Sequence, residues 1–417
     1  MIKIKELSNG IRLVLDYIPQ VQSVSLGFWV GTGAVNEVKE YAGISHFTEH
    51  MMFKGTPKRN FREIAQEIDS IGGQMDAFTG KETTCYYVRT IESGLKTAMD
   101  VFTDMLTNSL FDKKEMDRER KVIGEEIKMS RDAADDVAVE TACELVFKGR
   151  AMGNSILGTP SSIKRITPDV MRAYVKDTYS RDKLVISVSG NFDEKQIEEY
   201  FSHKFSKYRK TQRIDASDEL SKKYKQGYKC VIKDIEQAHI CLATESIALS
   251  DDRFFALSIL SNIMGGSMSS RFFQNIREEK GLAYSVYCNN SPGKDAGYFS
   301  IYAGVAHSSI EKTLEAIKYE LDDLKKRGIT EQELEYSRRQ LTSAYVFAME
   351  STTGRMFRNG RNVLLRGTAP EETEIIKKYE KVTMADIEIA KEIICNFSSY
   401  SACIVTDNEV NVKEIMS

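Results

Sequence analysis

Long apolar runs are missing from this sequence. No segment approaches about 18 uninterrupted apolar residues, which excludes a membrane-spanning helix. Proline is scarce, at six residues, and with 41% hydrophobic and 29% charged residues the disordered and low-complexity classes do not fit. An excess of one charge sign is also lacking: 58 basic and 61 acidic residues leave a formal net charge of -3 with no dense basic stripe, so nucleic acid is not expected as a partner. Cysteine provides no framework, because its seven residues (85, 143, 230, 241, 288, 395 and 403) are scattered, odd in number and never spaced C-x-x-C. Free, mostly buried thiols in a reducing compartment are the expectation. The opening MIKIKELSNGIRLVLD alternates like a strand, a turn and a second strand. It has neither an apolar core of signal-peptide length nor an Arg/Ser-rich presequence, so a cytoplasmic protein without a membrane partner is expected.

What is present begins with a repeat. A chain of 417 residues exceeds the size of a single core, so more than one domain is expected. FDKKEMDRERKVIGEEI at 111 to 127 aligns with ITEQELEYSRRQLTSAY at 329 to 345, an offset of 218. QSVSLGFW matches QAHICLAT at 215, ITPDVM matches VTMADI at 216, and LVISVSG matches ACIVTD near 217. Four weak matches in order at nearly constant offset point to duplication of a unit of about 200 residues. Each copy reads as a β-rich opening, an amphipathic helix, a strand, two long helices, further helical segments and a final strand. The absence of regular βαβ alternation favours an α+β fold, two similar tandem domains in which a β-sheet packs with long helices. The polar stretch SKYRKTQRIDASDELSKKYKQ lacks apolar periodicity. It sets a first domain at 1–210, a linker at 211–225 and a second domain at 226–417.

Histidine is rarer than proline, at five residues, yet two of them stand in GISHFTEHMMFKGT at 43 to 56. On a helix, with His46 at zero, Glu49 falls near -60° and His50 near +40°, an arc of about 100°. Two imidazoles one turn apart can share a cation, and the carboxylate between them can reach a water bound to it. The order H-x-x-E-H inverts the H-E-x-x-H of zinc peptidases. Catalytic zinc takes three protein ligands and keeps one position for water. EMDRERKVIGEEIKMS offers the third: Glu119 and Glu126 are seven apart, within about 20° on one face, beside the apolar stripe Met116, Ile123, Ile127. Glu125 points about 100° away and is the poorer candidate. At the repeat offset Glu119 faces Ser337 and Glu126 faces Ala344, while His46 and His50 face Leu257 and Ser261 near an offset of 211. The unusual residues are confined to one copy, which points to chemistry there and not to a need of the fold.

The HxxEH at 46 to 50, a glutamate 76 residues after His50, and GGQMDAFTGKETTCYY between them resemble the pitrilysin family of inverted zinc peptidases, in its branch of mitochondrial processing peptidase and bacterial relatives. The resemblance covers essentially the whole chain. It implies two similar α+β domains, one zinc ion per chain held by His46, His50 and Glu126, Glu49 as general base, and Glu119 as a supporting acidic residue. GGSMSSRFFQNIREEKGLAYSVY carries a second family signature, which implies that Arg277 and Tyr284, seven apart, face substrate at the catalytic centre. MDAFTG matches the strand on whose edge the substrate backbone pairs, which implies substrate contacts at Asp76, Ala77, Phe78 and Thr79. Asp76 departs from the asparagine of many relatives. The implied activity is endopeptidase action on peptides or unfolded polypeptide inside a clam-like chamber. Because one chain carries both the zinc motif and the Arg/Tyr pair, a homodimer is expected. The alternatives are a catalytic subunit that needs a different partner chain, and a non-catalytic assembly subunit of the kind that has lost zinc ligands.

Overall fold

The computed structural model describes residues 2–205, 208 and 224–416, so the linker expected at 211–225 lies almost wholly outside the described residues. In chain order the elements are β1 Lys3–Glu6, β2 Arg12–Tyr17, β3 Ser23–Val30, α1 Ile44–Met52, α2 Phe61–Ser70, β4 Gln74–Thr79, β5 Thr84–Ile91, α3 Leu95–Asn108, α4 Lys113–Asp132, α5 Ala134–Val146, α6 Pro160–Arg165, α7 Pro168–Thr178, β6 Leu184–Gly190 and α8 Glu194–Lys204. They continue with β7 Tyr228–Ile232, β8 Ala238–Ser246, α9 Phe254–Gly265, β9 Ala283–Pro292, β10 Gly297–Val305, α10 Ile310–Arg327, α11 Glu331–Glu350, α12 Thr352–Arg366, α13 Glu372–Glu380, α14 Met384–Lys391, β11 Ser401–Thr406 and α15 Val412–Ile415.

The duplication read from the sequence reappears in the topology. One sheet has the order β1-β2-β6-β3-β5-β4 and the other β7-β11-β8-β10-β9. Apart from β1, the two orders correspond strand for strand. In each, the final strand of the copy runs parallel to the opening one, β6 beside β2 and β11 beside β7, while the remaining pairs are antiparallel. The inner strands β6 (LVISVSG) and β11 (SACIVT) are buried at every position, as strands covered on both faces require. At the sheet edge β4 alternates exposed and half-buried residues, the pattern of period two.

The chain divides into two compact units: Met1–Ile127 with Asn154–Ser217 and Val346–Glu372, and Lys128–Gly153 with Asp218–Tyr345 and Thr373–Ser417. This division differs from the contiguous 1–210 and 226–417 read from composition, because each unit includes a helix from the other half of the sequence. The reason is packing. In the second unit α5 lays its small residues Ala134, Ala138 and Ala142 against Cys241 and Ala243 of β8 and Cys403 of β11. In the first, α12 buries Met356 and Val363 against Val14, Trp29 and Val185. That approach is close enough that a Cβ on Gly360 would lie 2.2 Å from Nε1 of Trp29.

The first core positions the site. Phe47, Met51 and Met52 of α1 are buried with Met116, Ile123 and Ile127 of α4, and burying each such side chain contributes roughly 1.5–3 kcal/mol. Two helices distant in sequence are thereby locked at fixed rotation, with the polar faces of both directed to one place. All seven cysteines are free, five of them buried. Among the described residues no helix is long and apolar enough to cross a membrane.

Candidate metal centre

The helix that carries both histidines starts at a built socket. Gly43 precedes α1 with φ +89, and a Cβ there would meet the Leu157 carbonyl at 2.6 Å, so glycine is required. The buried carboxylate of Glu37 closes the helix end: Gly43 N donates to Oε2 at 2.6 Å and Ser45 N to Oε1 at 2.8 Å. Those amides have no partner within the helix, and a carboxylate suits that end of the helix dipole. Burial raises the Glu37 pKa to about 7, against the lowering effect of its bonds from Ser45 and Gly43. Ser45 Oγ in turn lies 2.7 Å from Tyr174 Oη, which lies 2.9 Å from Thr32 Oγ1.

One turn later the ligand atoms converge. Nε2 of His46 and Nε2 of His50 are 3.3 Å apart, and Oε2 of Glu126 is 3.6 Å from each. The 3.6 Å contacts are too long for good hydrogen bonds, so Glu126 faces both rings without satisfying either. Zinc bonded at about 2.0–2.1 Å holds tetrahedral ligands about 3.3–3.4 Å apart, so the spacing and the donor set both fit that ion. These three residues are the one group among the described residues whose ligand atoms could hold a metal. Glu125, the poorer candidate by helical angle, is not in the group.

Around this triad the two rings are held differently. Nδ1 of His50 lies 3.1 Å from Oε2 of Glu119, whose Oε1 receives Lys54 Nζ at 2.6 Å. A proton held on Nδ1 by Glu119 leaves the Nε2 lone pair directed at the ligand point. Burial works to lower the His50 pKa, but the Glu119 bond and the charges of Glu126 and Glu49 outweigh it and the value is raised. Among the described residues Nδ1 of His46 is buried without a hydrogen-bond partner. Burial, then His50, pushes the His46 pKa down to about 4, so its ring is neutral at ordinary pH. Glu119 is lowered overall: burial would raise it, and the bonds from His50 and Lys54 prevail.

Glu49 stands on the same helix and accepts a hydrogen bond from the Thr79 hydroxyl. Its pKa is raised, foremost by burial and also by Asp76 and Glu126, with Thr79 and His50 opposing. A carboxylate shifted towards neutrality is suited to general-base work. On β4, Ala77 packs towards the core below α1. On the other face, Phe78 meets Trp29 and Phe357 edge-on. Asp76 accepts from Tyr87 Oη at 3.2 Å.

Arg277 and Tyr284 lie side by side in the second unit. Arg277, on the π-helical turn Phe273–Glu279, has its guanidinium carbon 4.6 Å from the Phe273 ring centre and 5.7 Å from that of Tyr284. Tyr284, on the edge strand β9, is 73% exposed, so its hydroxyl is available to a ligand. The segment is anchored by Arg271 to Glu333 and by Asn275 to Glu320. At the positions that repeat the metal ligands, the second unit holds packing residues: Leu257 is buried, and Ser337 donates to the Ile259 carbonyl at 3.1 Å while accepting from Asn262 at 3.0 Å.

Two residues of the site escaped the sequence reading. Lys54 follows His50 by four positions, and helical spacing could have suggested it. Glu37 lies in a loop whose course only the folded chain fixes, and nothing in its neighbourhood distinguishes it from a solvated glutamate.

The chain resembles known proteins along most of its length. Residues 12–160 match the family described as insulinase, peptidase family M16, and residues 165–341 match the peptidase M16 inactive domain. The uncharacterized zinc protease YmxG of Bacillus subtilis is 40% identical over 390 residues, 92% of this chain and 93% of that protein. An uncharacterized zinc protease of Streptomyces coelicolor is 33% identical over 93% of this chain and 86% of its own length. Among solved structures, a peptidase M16 inactive domain from Pseudomonas fluorescens superposes with a TM-score of 0.89 at 16% identity, covering 98% of both chains. A protease from Helicobacter pylori does so with a TM-score of 0.88 at 18% identity, covering 97% of this chain and 99% of that one. At such identities the likeness is one of fold.

Proposed function

This chain belongs to the M16 peptidase family, and we propose that it is a zinc-dependent endopeptidase that cuts peptides or extended polypeptide segments within a homodimeric, clam-like chamber. The observation that carries the reading is the convergence of His46 Nε2, His50 Nε2 and Glu126 Oε2 at 3.3–3.6 Å, with Glu119 orienting one ring. When bound, zinc supplies Lewis acidity, lowering the pKa of water and polarising a carbonyl. Glu49 takes the proton of the attacking water and delivers it to the departing amine nitrogen. Tyr284 Oη and the Arg277 guanidinium hold the carbonyl oxygen as charge develops on it, an oxyanion role. Substrate backbone pairs along Asp76, Ala77, Phe78 and Thr79, which gives tolerance of side chains.

The homodimer is inferred from one chain holding both the metal ligands and the Arg277–Tyr284 pair. Seven free thiols support a reducing, cytoplasmic setting. The test is a peptidase assay on the purified chain with metal analysis, before and after chelation. Activity that disappears with the zinc and returns on its addition supports the reading. A zinc-loaded chain that cleaves no peptide, or hydrolysis indifferent to chelation with the zinc removed, contradicts it.

A further inference from the structure

Among the described residues Glu49 has one hydrogen-bond partner, the hydroxyl of Thr79, which donates to Oε2. Thr79 ends β4, an edge strand of the first sheet. Alternation along that strand puts Thr79 on the same face as Met75 and Ala77, which pack on the core beneath α1, and opposite Asp76 and Phe78. Glu49 therefore reaches from the helix that carries the histidines to the strand assigned above to substrate backbone.

The Thr79 hydroxyl, as donor, commits Oε2 of a flexible glutamate and leaves Oε1 as the oxygen that can accept a proton. Threonine is also stiff at χ1, so a hydroxyl carried on a paired strand is a fixed point.

We propose that Thr79 is a positioning residue: its hydroxyl holds the Glu49 carboxylate beside the metal centre and ties it to β4, so that a peptide strand added to the edge of β4 arrives in register with the base. This rests on the peptidase reading above. It also assigns Thr79 a role distinct from backbone recognition, because the contact is made by its side chain.

The test compares zinc-loaded full-length wild type with Thr79→Val, which keeps the branched shape and removes the hydroxyl, and Thr79→Ser, which keeps the hydroxyl. Thr79→Ala repeats the deletion should valine disturb the strand. Crystal structures are expected to show Glu49 displaced in Thr79→Val and in its wild-type rotamer in Thr79→Ser, with zinc content unchanged in both. Hydrolysis of a fluorogenic peptide is expected to lose about 10–100-fold in kcat in Thr79→Val with KM nearly constant, and to recover to within about threefold in Thr79→Ser. An unmoved Glu49 in Thr79→Val overturns the proposal, as does an equal loss in serine and valine variants or a loss confined to KM. Should wild type itself cleave nothing, the peptidase reading fails, and the position of Glu49 in the two structures still decides the role of Thr79.

Discussion

Oε2 of Glu119 lies 3.1 Å from Nδ1 of His50, and that contact fixes the direction in which the ring presents Nε2. With the proton held on Nδ1, the lone pair of Nε2 points to the place where His46 and Glu126 also point. Lys54, 2.6 Å from the other Glu119 oxygen, keeps the carboxylate ionised and in position. In the proposed function Glu119 acts on the ligand and not on the ion. Replacing it with Gln or Ala is expected to weaken zinc binding about 10–100-fold in competition with a chromophoric chelator. Wild-type affinity in both variants would show that the contact does not set the ligand.

The role proposed for Glu49 separates binding from chemistry. Because it is not among the converging ligands, Glu49→Gln is expected to retain zinc while turnover falls by about 10²–10⁴-fold. Metal content and peptide hydrolysis measured on one preparation check this. Loss of zinc in the variant contradicts the division of roles, and so does wild-type turnover.

Glu37 predicts a pH-dependent stability. In the folded chain its pKa is raised to about 7, while unfolded it returns to the ordinary 4.5, so between these values the folded state binds more protons. Its contribution is therefore fully present below about pH 4.5 and is lost as the pH rises through about 7, on the order of 3 kcal/mol in all. The unfolding free energy of wild type minus that of Glu37→Gln is expected to fall across this window and to flatten above it. A difference independent of pH would refute the assignment.

Completion of the site in trans is testable by mixing. Glu49→Gln and Tyr284→Phe chains are each expected to be impaired alone. After subunit exchange at equal amounts, half the dimers are mixed and each holds one intact site, so activity near about a quarter of wild type is expected. No recovery where exchange is demonstrated by mass contradicts a shared site.

Much of this was legible in the sequence. The spacing of His46, Glu49 and His50 needed only helical periodicity, and that of Glu119 and Glu126 needed only the rule that residues seven apart share a face. The repeat offsets anticipated the matching strand orders because each copy buries its apolar pattern in the same way. Three features were hidden. The exchange of α5 and α12 between the units depends on how small residues such as Gly360 and Ala138 fit a sheet, which periodicity does not encode. Glu37 acts through backbone amides of α1, and such contacts leave no trace in side-chain spacing. The Thr79–Glu49 bond joins a strand to a helix 30 residues earlier, a pairing that only the folded core fixes.

The central claim is that two imidazoles and one carboxylate from the first unit hold a single zinc ion. X-ray absorption at the zinc edge of the loaded protein tests it most directly. One zinc per chain is expected, surrounded at about 2.0–2.1 Å by nitrogen and oxygen atoms with the outer-shell scattering of two imidazoles. A sulfur neighbour near 2.3 Å, or a spectrum unchanged when His46 and His50 are both replaced by alanine, would contradict it.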